Sequence, residues 1–85
     1  LDWIADWAHA VQLAEQGEMR RASEKALAAS AALEAYGERY LAARLLVDIL
    51  PLLDARESER IAEKAIPRLE AMGAKSSAEE ARALL

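Results

Sequence analysis

Along the 85-residue chain, apolar positions recur three and four residues apart, and no stretch alternates apolar and polar as a half-buried strand does. In "MRRASEKALAASAALEAY" the stripe Met19, Ala22, Ala26, Ala29, Leu33 and Tyr36 leaves Arg20, Arg21, Glu24 and Lys25 outside it. That is a helix with one face turned to a neighbour. The same period predicts helices over residues 2–16, 18–36, 38–53 and 57–72, and the start of a fifth over 76–85. The third should be central and most buried, because Leu41, Ala42, Leu45, Leu46, Val47, Ile49 and Leu50 cover most of its circumference, leaving mainly Arg44 and Asp48 polar. The fourth repeats the one-faced pattern with Ile61, Ala62, Ala65, Leu69 and Met72.

The breaks between segments have their own chemistry. Gly17, Gly37 and Gly73 each follow a helical run, where a residue without a Cβ can take the left-handed conformation that closes a helix. The remaining break has no glycine, but Asp54 can cap the next helix and Glu57 stands three residues on, a capping-box spacing. Ser76 and Ser77 are expected to cap the last helix. Pro51 and Pro67 each remove a backbone donor inside an apolar pattern that continues on both sides, so each should bend its helix.

The chain also repeats itself. "ALAASAALEAYG", from Ala26 to Gly37, aligns without gaps on "AEKAIPRLEAMG", from Ala62 to Gly73, at a spacing of 36 residues. Alanines 26 and 29 match alanines 62 and 65, Leu-Glu-Ala at 33–35 matches 69–71, and Tyr36 exchanges with Met72. A helical unit that cannot bury its apolar face alone needs a neighbour. The expected fold is therefore all-α: a right-handed stack of antiparallel helical hairpins, two and a half repeats and five helices. Residues 1–36 form hairpin one, 37–73 hairpin two and 74–85 a capping helix.

Alanine fills about a quarter of the positions and Phe is absent, a composition that favours helices. A net charge of −4 argues against a protein whose work is to neutralise phosphates, so nucleic acid is not expected as a direct partner. The absence of cysteine removes thiolate nucleophiles and disulfides, and fits a cytoplasmic location. No apolar run is long enough to cross a membrane. The chain starts at Leu1 rather than Met, which leads us to expect a piece of something longer.

"LAEQGEMRRASEKALAA" resembles a tetratricopeptide repeat. The family's large residue before the turn, the glycine and acid of the turn, the large residue after it and the small residues three and ten further on correspond to Leu13, Gly17, Glu18, Met19, Ala22 and Ala29, with Ala10 at the small position of the first helix. The chain departs from the family pattern at Asp6, His9 and Ala26, in its period of 36, and in a second unit without the turn glycine. "LEAYGERYLAARLLVDILPLL" is also similar in style to degenerate helical repeats of large bacterial regulators, such as ATPase-containing transcriptional activators and adenylate cyclases. The resemblance implies a module that binds a peptide or a neighbouring domain along one face of its first helices. Ile4, Trp7 and Val11 in unit one and Tyr40, Ala43 and Val47 in unit two hold that face.

Those residues have a plainer reading too. Trp3 and Trp7 lie one turn apart and can serve simply as core, or the face can pack on an upstream repeat or a second copy. His9, the only histidine, shares a polar stripe with Asp2, Asp6 and Gln16, and no second cluster supplies the further ligands of a metal site. Glu57, Glu59, Glu63, Glu79 and Glu80 read as surface charge, for no desolvated pocket separates their pKa values as acid–base chemistry requires. No catalytic residue, cofactor or metal is expected. A protein-interaction module comes first, and a structural or oligomerising segment of a bacterial transcriptional or signalling regulator is the alternative.

Overall fold

A computed structural model describes residues 3–85. Among them are five α-helices and no strand: α1 (Trp3–Glu15), α2 (Met19–Ala35), α3 (Arg39–Ile49), α4 (Ala55–Ala71) and α5 (Lys75–Ala83), with a 3-10 turn at Leu50–Leu52. Asp2, placed in the polar stripe above, lies outside the described residues.

Three of the four connections are the same joint. At Gly17, Gly37 and Gly73 φ is +81°, +89° and +77°. In each joint the amide after the glycine reaches back to a leucine carbonyl: Glu18 to Leu13 at 2.9 Å, Glu38 to Leu33 at 3.0 Å, Ala74 to Leu69 at 2.8 Å. The glycine amide closes the inner ring, onto Ala14, Glu34 and Glu70. This is the Schellman arrangement, which satisfies carbonyls a helix end would otherwise leave bare. The residue that ends one helix begins the next, because the carbonyls of Glu18, Glu38 and Ala74 accept from Ala22, Ala42 and Ala78. Each joint thus reads Leu, three residues, Gly, four residues, Ala, and all three leucines and all three alanines are buried.

The fourth connection differs from expectation. The third helix does not bend through Pro51 to residue 53; α3 ends at Ile49 and the chain tightens into the 3-10 turn, with Pro51 in its first turn where a missing donor costs nothing. Leu53 is extended, and Asp54 caps α4 by accepting from the Glu57 amide at 2.9 Å. α4 therefore starts two residues earlier than the pattern suggested, and it continues as helix through Pro67 to Ala71. α5 also starts early. Its N-cap is Ala74, with no side-chain capping bond, so Ser76 and Ser77 lie inside the helix rather than capping it.

Packing runs between successive helices, most extensively between α1 and α2, with further contacts of α2 on α4, α3 on α5, and the 3-10 turn on α1. The main apolar cluster joins Ala10, Ala26, Ala43, Leu46, Val47, Ile49, Leu50, Ile61, Ala62, Ala65, Leu69, Ala78 and Ala81. α3 has the most buried apolar residues of the described helices, as its pattern predicts. α2 differs in detail: Tyr36 lies outside the buried stripe, and Ser23 and Ser30 complete it instead. Ser30 donates to the Ala42 carbonyl at 2.7 Å and so ties α2 to α3 inside the core. Ser30→Ala should cost about 1 kcal/mol, the usual net worth of such a bond, and lower Tm by roughly 4–8 °C on calorimetry.

Candidate functional site

The residues assigned to the first-helix face separate into two sets. Ile4 and Tyr40 are 62% and 48% exposed. Trp7 and Val11 are half-buried, Trp7 packing against both larger apolar clusters. Ala43 and Val47 are fully buried, and this corrects their place in an open groove. Both belong to the cluster that also holds Ala78 and Ala81, so α5 shares the α3 face they were meant to offer. The same 36-residue spacing that equates Trp7 with Ala43 and Val11 with Val47 explains the contrast, since α1 receives α3 less closely than α3 receives α5.

What remains outside is an apolar surface at one end of the helices. Trp3 packs against Ala29, Leu33, Ala42 and Leu45, which brings the first turn of α1 to the last turn of α2 and the first of α3. Ile4, in the first turn of α1, is exposed, as are Tyr36, 58%, at the end of α2 and Tyr40 and Leu41, 38%, in the first turn of α3. Sequence patterning missed Tyr36 and Leu41 because both fall on stripes that read as buried. Each stands within five residues of Gly37, at a helix end rather than in the middle of a covered helix.

A polar network lies beside the Tyr40 side of this surface. Tyr40 Oη and Ser77 Oγ share a hydrogen bond at 2.9 Å. Arg44 holds the Glu80 carboxylate with both terminal nitrogens, at 2.8 and 2.7 Å, reaches Ser77 Oγ at 3.3 Å, and donates from Nε to Asp48 at 3.1 Å. The hydrogen bond to Glu80 is the main reason the Arg44 guanidinium is held even more firmly protonated than usual, and the same bond holds the Glu80 carboxyl below its ordinary range. Glu80 is exposed, as expected of surface charge, and its ion pair with Arg44 also ties α5 to α3. A signal for the pair was present, because Arg44 and Glu80 stand one repeat apart with opposite charges. Residues one period apart occupy equivalent places on neighbouring units.

Glu57 is the correction among the five carboxylates, being buried where surface charge was expected. Burial, the largest single influence, pushes its carboxyl up, but Arg60, with Nε at 3.0 Å, together with Ser23 and the charge of Arg20 outweighs it and keeps the group below the usual carboxylate range. The Ser23 hydroxyl adds to this from close by, without completing a hydrogen bond of normal geometry. Arg20 and Arg21 pair with Glu24 and Glu18 in solvent, as the stripe predicts. Asp6 turns to Lys25 of α2 at 3.8 Å rather than to His9. Among the described residues no group of three or more His, Cys, Asp or Glu could hold a metal ion. No described helix is long and apolar enough to cross a membrane. Comparison with known proteins leaves the site to be read on its own chemistry: no family model matches the chain, and searches of curated proteins and of solved structures found no match.

Proposed function

We propose that the chain is a protein–protein interaction module, a tetratricopeptide-like right-handed stack of antiparallel hairpins that binds a peptide or neighbouring domain through the exposed end of its first helices. The stack is supported by the 36-residue repeat and by the contacts of α2 on α4 and α3 on α5, elements one repeat apart. The molecule measures 34 × 29 × 14 Å. Its thin dimension is what two helix layers span, with axes about 8–10 Å apart and a Cα radius of about 2.3 Å on either side. The binding reading rests on one observation: Ile4, Tyr36, Tyr40 and Leu41 are large apolar side chains left exposed in the first turns of α1 and α3 and at the joint between α2 and α3. Large apolar side chains grouped on a surface mark interaction sites more often than isolated ones do.

Selection of binders from a random peptide library, followed by NMR mapping, tests this. Selected peptides should shift the amides around Ile4, Trp7, Tyr36 and Leu41. An Ile4→Asp, Tyr36→Ser chain should keep its helical signal and lose at least about tenfold in affinity, since each truncated anchor is worth more than about 1 kcal/mol. Binders that map elsewhere, or ignore both substitutions, would remove the reading. The alternative, a structural or self-associating segment of a transcriptional or signalling regulator, draws on exposed Leu52, Leu84 and Leu85 at the other end. Concentration-dependent sedimentation abolished by Leu84→Asp and Leu85→Asp would favour it.

A further inference from the structure

We propose that α5 is a detachable occupant of a second binding surface on α3 and α4, and that this surface takes from a partner a helix of the same chemistry: small residues on one stripe, flanked by a hydroxyl and a carboxylate. The inference deepens the interaction reading above and rests on it. α5 has only nine residues, and the side chains it buries are Ser77, Ala78 and Ala81. A helix that short is not stable alone in water, and three small side chains remove little apolar area. No side chain caps its start. What holds it besides those alanines are polar contacts at a solvent-accessible edge: Tyr40 and Arg44 on Ser77, Arg44 on Glu80, and Arg82 on Glu70 of α4. Local opening draws on segments with few buried apolar contacts and exposed bonds.

The face beneath is of another kind. Ala43 and Val47 join Leu46, Ile61, Ala65 and Leu69 in one apolar cluster, which would meet solvent at Ala43 and Val47 if α5 left. Tyr40 Oη and Arg44 stand beside it to read a hydroxyl and a carboxylate. The sequence Ser77-Ala78-Glu79-Glu80-Ala81 is thus the chain's own record of what the surface accepts, with Ser77, Glu80 and Ala81 at the three- and four-residue spacing of one helix face. While α5 is seated, its one-joint tether to α4 gives it a high effective concentration that a free partner must overcome.

The test uses the whole chain. Amide hydrogen exchange on the native protein should show α5 opening at least 100-fold more often than the core of α4. Ala81→Glu, which places a charge at a fully buried position, should release α5 and leave α1 to α4 folded; the end-blocked peptide of residues 75–85 should then bind saturably, shifting the Ala43 and Val47 amides. Adding Arg44→Ala should abolish that binding. Ser77→Ala with Glu80→Ala is the milder release, expected to speed exchange in α5 alone. Exchange of α5 only through global unfolding, collapse of the whole fold in the Ala81→Glu chain, or a released surface that ignores the peptide would each overturn the proposal. A null result here with Ile4- and Tyr36-dependent binding intact would leave the first reading standing.

Discussion

Leu46→Ala should unfold the protein at physiological temperature or bring it to the edge of unfolding. Leu46 is fully buried on the central helix, in the cluster that α1, α2, α3, α4 and α5 all enter. That cluster is rich in alanine, at residues 10, 26, 43, 62, 65, 78 and 81, and alanine has no flexible side chain to swing into a space. The cavity therefore stays open, and the cost belongs toward the upper part of the range for buried leucine, about 3–5 kcal/mol. A chain of this size has on the order of 5–10 kcal/mol in hand, and each kcal/mol moves Tm by roughly 4–8 °C. Urea titration should show a midpoint reduced by about a third or more with an unchanged slope. A loss under 1 kcal/mol would mean that α3 is not the centre of the core.

The second large effect is electrostatic and carries its own signature. Arg60→Ala leaves Glu57 buried without its cation, a loss of about 2 kcal/mol at neutral pH once the partial exposure of Arg60 is allowed for. In the native chain Glu57 is held below its unfolded value, so its contribution is present above that value and is lost as pH falls through the folded one. In the variant the Arg60 hydrogen bond and charge are gone, and burial, opposed only by the Ser23 hydroxyl and Arg20, raises the folded pKa above its native-chain position. The deficit should therefore be smallest in acid, where Glu57 is protonated in both proteins, and grow as pH rises. Stability measured by urea between about pH 3 and pH 7 should give converging curves for the two proteins at the acid end. Parallel curves would show that Glu57 is solvated and the ion pair incidental.

Much of this fold is legible in the sequence for a physical reason. A glycine after a leucine-bearing turn leaves few options, and all three glycines mark joints at the expected places. The fourth connection was less readable because Pro51 is compatible with a bend and with a new first turn; burial of Leu50 and the turn's contact with α1, which no local pattern reports, accompany the second. The serines of α5 misled for a related reason. Serine is a strong cap, but the joint at Gly73 delivers Ala74 with φ −83° and ψ 66°, nearly the values of Glu18 and Glu38. The helix has begun before either serine is reached.

The candidate site was half legible. Periodicity placed Ile4, Trp7, Val11, Tyr40, Ala43 and Val47 on equivalent faces, but equivalence in a repeat does not mean equal exposure. α3 has a neighbour on that face and α1 a more open one. What covers a face is decided by the next unit along, and here that unit is α5, whose polar, alanine-rich sequence looks unlike a core element.

The shared joint has one further consequence. Three connections have the same backbone and the same Leu, Gly and Ala positions, whether they follow α1, α2 or α4. A helix cut at such a leucine and rejoined at such an alanine meets no new turn geometry. As far as the turns are concerned, helices could trade places at residues 13–22, 33–42 and 69–78 as a sentence exchanges clauses at its commas, and the 3-10 turn is the one connection that would have to be written afresh.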